Sequence, residues 1–81
     1  MKLEVLGTGC AKCNALEASV KQAADKLGLE YTLTHVKEIA KIASYGVLMT
    51  PALAIDGKVK FAGKAPSEAE LTKILVEAAG R

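Results

Sequence analysis

The sequence predicts an α/β protein with element order βαβαββα and a four-stranded mixed sheet carrying helices on both faces. Three observations predict it. In the first half, strand-like runs alternate with helical patterns, which calls for a parallel pair of strands joined by a crossover helix. Asp56-Gly57 stands between two strand-like runs and reads as a hairpin turn. Ser67-Glu68-Ala69-Glu70 then opens a closing helix, with serine at the cap and glutamate three residues on.

Each element has its own signal. Lys2 to Leu6 is a short apolar run interrupted by Glu4, and reads as a buried strand. Gly7-Thr8-Gly9 forms a tight connection. From Ala11 to Leu27, Leu16, Val20, Ala23, Ala24 and Leu27 recur at helical spacing, while Lys12, Glu17, Lys21, Asp25 and Lys26 fall largely opposite. Gly28 fits the left-handed position after a helix end. Glu30 to Val36 is rich in β-branched and aromatic residues and reads as a second strand. Lys37 to Tyr45 places Ile39, Ile42 and Ala43 at helical spacing and stops at Gly46. Ala52 to Ile55 and Lys58 to Ala62 are the two strands of the hairpin. In the second, Val59 and Phe61 alternate with Lys58 and Lys60, and the lysines mark an edge strand guarded against unwanted pairing. Leu71, Ile74, Leu75 and Ala78 give the last helix its buried stripe.

Size and charge narrow the function classes. At 81 residues the chain predicts one domain, 1–81. Hydrophobic residues make up 51% of it and aromatic residues only 4%, so the core is expected to be aliphatic. The formal charge of +2 is too mild to argue for nucleic acid or a membrane surface. No apolar run reaches the length of a membrane span. A strand-like run directly after Met1-Lys2 leaves no room for a secretory signal, so a cytoplasmic location is expected. In a reducing compartment, a closely spaced cysteine pair points to catalysis or metal binding rather than a structural bridge.

That pair is Cys10 and Cys13, the only cysteines in the chain. The spacing places them three residues apart at the start of a helix, on one face and roughly 5–6 Å apart at Cβ. Disulfide geometry asks for Cα atoms roughly 4.4–6.8 Å apart, so small adjustments open or close a bridge. The unpaired N–H groups and partial positive charge of a first helical turn stabilise a thiolate. Lys12 adds a solvated cation. A thiol in such a motif falls from a free pKa of about 8.5 toward roughly 3.5–7.5. Cys10 is the natural attacking thiolate and Cys13 the resolving thiol. Two other readings of the pair stand beside this one: a chance pair of buried cysteines, and half of a zinc or copper(I) site. Two thiolates do not complete a closed zinc site, and no second C-x-x-C follows.

A C-x-x-C at the first strand-to-helix junction, Thr50-Pro51 opening the third strand, a hairpin and a closing helix together resemble the thioredoxin and glutaredoxin superfamily. The resemblance covers essentially the whole chain. Gly7-Thr8-Gly9-Cys10-Ala11-Lys12-Cys13, with Thr50-Pro51-Ala52-Leu53 and Asp56-Gly57-Lys58, looks closest to the small bacterial and archaeal redox-active disulfide proteins. The resemblance implies a thioredoxin-like fold. It also implies a cis peptide bond before Pro51, which lies beside the cysteines, and a Thr50 backbone that pairs with an extended substrate segment. Gly63 matches the small residue lining the substrate groove. Glu4, six positions before Cys10, matches a buried carboxylate that manages the proton of the second thiol. Pointing outward, it is an ordinary strand carboxylate. Ala11-Lys12 between the cysteines and Gly9 before them depart from the pattern of thioredoxins and glutaredoxins, so no glutathione specificity is carried over.

The function expected is a disulfide oxidoreductase that exchanges electrons with protein disulfides through Cys10 and Cys13. It needs an upstream reductase of unidentified kind and no cofactor or metal beyond the redox-active disulfide. The alternative is a soft-metal module of the copper(I) chaperone type using the same thiolates. It is disfavoured because such chaperones carry a methionine two residues before the first cysteine and end in a strand. Gly9, Thr50, Pro51 and Gly63 are the expected substrate contacts, and Lys12 and Glu4 the groups that tune the thiols. His35, a helix-length of chain from the cysteines, is expected at the surface. Met49 is assigned to the groove or to packing, and Tyr31 and Tyr45 to structure.

Overall fold

The first strand, β1 (Lys2–Leu6), runs through the middle of the sheet in the computed structural model, which describes residues 1–8, 11–63 and 66–80. After it come α1 (Ala11–Lys26), β2 (Thr32–Val36), α2 (Ile39–Ser44), β3 (Ala52–Ile55), β4 (Lys58–Ala62) and α3 (Glu68–Ala78). The sheet order is β2-β1-β3-β4. β1 and β2 are parallel, and both other pairings are antiparallel. The mixed sheet predicted from the sequence is therefore present, with β4 on an edge.

Alternation along β1 divides the interior in two. Leu3 and Val5 join Leu53, Ile55 and Phe61 under α1 and α3, where Leu16, Val20, Leu71 and Leu75 complete an aliphatic cluster. Leu6, on the other face, joins Ala52, Ala54 and Val36 under Ile42 and Val47. Full burial of each Leu, Ile or Val contributes about 1.5–3 kcal/mol, so the α1–α3 side carries most of the apolar stabilisation. α2 has six residues, and Ile42 is its only buried one.

The ends of the elements follow their local chemistry. At the end of α1, Gly28 takes φ 68° and its N–H donates to the carbonyl of Asp25, while the Leu29 N–H reaches back to Ala24. This pair of bonds is a Schellman ending. Ser67 accepts from the Glu70 N–H at the start of α3. In the hairpin both Asp56 (φ 51°) and Gly57 (φ 84°) have positive φ, as its turn type requires. Asp56 does more than turn the chain. Its N–H donates to the Lys2 carbonyl and its carboxylate accepts from the Lys2 N–H, both at 2.8 Å, so the hairpin is tied to the start of β1.

Three expectations are corrected. The second strand starts at Thr32 rather than Glu30. Tyr31 lies just outside it and donates its hydroxyl to Asp25. α2 covers Ile39–Ser44 rather than Lys37 to Tyr45, and Ile39 is 73% exposed instead of joining a buried stripe. Ile39 stands at the first residue of the helix and borders an open pocket, whereas Ile42, one turn on, reaches the cluster of Leu6, Val36, Ala52 and Ala54. Val59 and Phe61 lie on opposite faces although they alternate in sequence. A register shift between Leu53 and Ala54 inserts an extra residue in β4, which reverses the side-chain phase beyond it.

One polar residue is buried among the described residues: Glu4, at 2% exposure on the α2 face. The Tyr45 hydroxyl, at the C-terminal cap of α2, donates to its Oε1 at 2.6 Å. That hydrogen bond, aided by partial burial and the nearby carboxylate, raises the Tyr45 pKa above its ordinary value of 10. Tyr45→Phe removes the donor and is expected to cost about 1–3 kcal/mol. The folded pKa is raised, so the contribution is fully present below pH 10 and is lost as pH rises through the folded value. Denaturant unfolding of the two proteins should show a gap at pH 7 that narrows in strong alkali.

Candidate functional site

The carboxyl ends of β1 and β2 lie side by side, with Leu6 opposite Val36. β1 leads through Gly7 and Thr8 toward α1. Gly9 and Cys10, the first expected substrate contact and the expected attacking thiol, lie outside the described residues. Cys13 is the third residue of α1, where the unpaired N–H groups of the first turn cluster. Its side chain is fully buried, and no acidic residue stands in that first turn.

Gly7 is the residue on which the described site converges, and the sequence reading took it only as part of a tight connection. A methyl built on Gly7 would meet Cys13 Sγ at 2.2 Å and Cβ at 3.1 Å, with the Thr50 Cβ at 3.7 Å. Gly7 does not have positive φ, so the requirement here is for space and not for backbone freedom. Its N–H donates to the Val36 carbonyl at 2.9 Å.

Thr50 and Cys13 thus flank the same point. The Thr50–Pro51 peptide is cis, as the resemblance implies. Pro51 is buried and its carbonyl accepts from the Gly63 N–H at 2.9 Å. Gly63 combines φ 75° with a closed space: a methyl there would lie 2.9 Å from the Met49 Cβ and 3.3 Å from its sulfur. The structure therefore brings Thr50 and Cys13 together at Gly7, and Gly63 joins Pro51 to Met49 in the adjoining segment. Beside them a pocket of about 270 Å³ is lined by Thr8, Ile39, Ile42, Val47, Leu48 and Thr50. Leu48, 98% exposed, leaves its rim apolar, and the neighbouring Met49 is 64% exposed.

The tuning residues are placed differently. Lys12 is exposed on α1. Glu4 points inward rather than into solvent, and its oxygen is held by Tyr45. Tyr45 therefore does more than fill space, because it is the partner of the buried carboxylate. His35 is not at the surface: its side chain is only 8% exposed. Its Nε2 lies 3.2 Å from the Gly7 carbonyl and its Nδ1 3.2 Å from Glu17 Oε2. Distance along the chain misled here. In the parallel register His35 stands opposite Val5, two residues before Gly7, so the crossover through α1 returns the chain to the site. The signal in the sequence was the parallel pair itself, which aligns the last residues of both strands.

Gly7→Ala is expected to destabilise the protein by about 1–3 kcal/mol, the usual cost of forcing an extra methyl into a packed interior. Urea unfolding of the variant measures the loss. An unchanged midpoint would mean that Cys13 yields without strain.

Among the described residues, no group of three or more His, Cys, Asp or Glu side chains could hold a metal ion, and no helix is long and apolar enough to cross a membrane. The Thioredoxin domain family matches residues 1–76. A thioredoxin of Methanothermobacter thermautotrophicus is 39% identical over 75 residues, spanning 93% of this chain and 97% of that protein. A thioredoxin of Methanocaldococcus jannaschii is 37% identical over 73 residues, spanning 90% of this chain and 84% of that one. The mixed sheet, the cis-proline segment facing the start of α1 and these likenesses agree: the fold is thioredoxin-like, and the chain belongs to the thioredoxin domain family.

Proposed function

We propose that the protein is a thiol–disulfide oxidoreductase that exchanges an electron pair with protein disulfides through Cys10 and Cys13. Membership of the thioredoxin family supports an oxidoreductase of this type. The observation that carries the finer reading is the seat of Cys13. It lies in the first turn of α1, buried against Gly7 with Thr50 alongside. A thiol so placed is shielded from outside reagents yet only three residues along the chain from Cys10, which suits a resolving group.

In the proposed cycle, the Cys10 thiolate attacks one sulfur of a partner disulfide. A Cys10–partner bond forms, and the other partner sulfur leaves as a thiolate that takes up a proton. Cys13 then loses its proton and attacks Cys10. The Cys10–Cys13 bond forms, and the partner leaves with its second thiol. Two electrons pass to the partner and this protein ends oxidised. A dithiol reductase upstream reverses the step. Glu4, the buried carboxylate three residues before Gly7, is assigned as the acceptor of the Cys13 proton. The apolar pocket beside Thr50 takes the side chains flanking the partner's cystine, while the Thr50 backbone pairs with its main chain. Lys12, being exposed, adds only a screened bias toward the Cys10 thiolate. Nothing in the family or its relatives favours the soft-metal alternative.

Cys13→Ser should trap the mixed disulfide, recoverable under non-reducing conditions. In the unaltered protein, alkylation should count two reactive groups after dithiothreitol and none after mild oxidation. Equal counts in the two states would remove the electron-carrying reading. Glu4→Gln should leave the attack step intact and slow resolution, so the mixed disulfide lasts longer in a rapid-quench experiment. Resolution at the unaltered rate would take Glu4 out of the mechanism.

A further inference from the structure

We propose that His35 is a positioning residue for Cys13, clamping the Gly7 peptide that forms the wall of the thiol's seat. The clamp is a property of the fold, whereas its consequence for electron exchange rests on the dithiol reading above.

The argument starts from the two ring nitrogens. Nε2 faces the Gly7 carbonyl and Nδ1 faces the Glu17 carboxylate, both at 3.2 Å. Both partners are acceptors only. A neutral imidazole has one N–H, so it serves one partner and turns a lone pair on the other. An imidazolium donates to both, and its bond to Glu17 is charge-assisted. With the side chain 8% exposed, water competes poorly for either contact.

The anchors explain why Cys13 is the group affected. Glu17 stands four residues after Cys13 on α1, hence on the same stretch of helix surface. Gly7 is fastened to the end of β2 twice, through its N–H to Val36 and through its carbonyl to His35. The ring therefore links the helix that carries Cys13 to the backbone against which Cys13 packs. The contact there has no slack, since a methyl on Gly7 would lie 2.2 Å from Sγ. A few tenths of an ångström at Gly7 alter the thiol's exposure. Beside the ring, α1 presents Glu17, which with Lys21 and Tyr31 lines a cavity of about 420 Å³, and β1 places Val5 at the paired position.

The test reads Cys13 alone, in a full-length protein carrying Cys10→Ser, as its alkylation rate by iodoacetamide. His35→Leu should raise the rate about tenfold, the equivalent of one net hydrogen bond. His35→Gln, whose amide can still donate to the Gly7 carbonyl, should return it to within about twofold of the parent. Val20→Ala weakens the core of α1 without touching the clamp and should leave the rate near the parent's. An equal rise in Val20→Ala would assign the effect to lost stability and overturn the proposal, as would an unchanged rate in His35→Leu or failure of His35→Gln to restore it. No turnover is needed, so a failed clamp and a failed dithiol cycle are told apart by the alkylation counts of the two-cysteine protein.

Discussion

Sulfur against a bare α-carbon is the contact around which this molecule is arranged. Cys13 fits only because residue 7 has no side chain, and Gly7 stays in place because the end of β2 holds it. Each partner is set by a different part of the chain. α1 brings the sulfur, β1 brings the glycine, β2 holds the glycine, and the segment before β3 brings Thr50 to the same point.

The two faces of the sheet divide the labour. The α1–α3 side holds the larger aliphatic cluster and anchors the helix that bears Cys13. The α2 side is thinner, with two alanines of β3 where the other face has leucine and isoleucine. It nevertheless contains the apolar pocket, the exposed Leu48 and Met49, and the buried Glu4. The larger aliphatic cluster is thus on one side of the sheet and the apolar pocket on the other.

Much of this was legible from residue patterns. Asp56-Gly57, Gly28 and Ser67 each encode a backbone event through local chemistry, and each stands where that chemistry requires. The parallel pair followed from the crossover and the antiparallel pair from the hairpin. The failures have a common cause, which is that they depend on alignment between segments. Nothing within Lys58 to Ala62 reveals that a residue is inserted opposite Leu53 and Ala54. Nothing around His35 states that Gly7 will lie alongside. Glu4 looked the same whether buried or exposed until Tyr45, 41 positions away, supplied the hydrogen bond. Ile39 was misjudged because it stands at the first residue of α2, bordering the open pocket.

The bond between Tyr45 and Glu4 bears on how the thin side moves. A helix of six residues has little cohesion of its own and would ordinarily fray and re-form freely. Here detachment strands a carboxylate beneath it, stripped of its donor before water has fully entered. One phenol therefore acts as a latch: the segment bordering the pocket can flex at its exposed rim, around Leu48 and Met49, while its base stays shut.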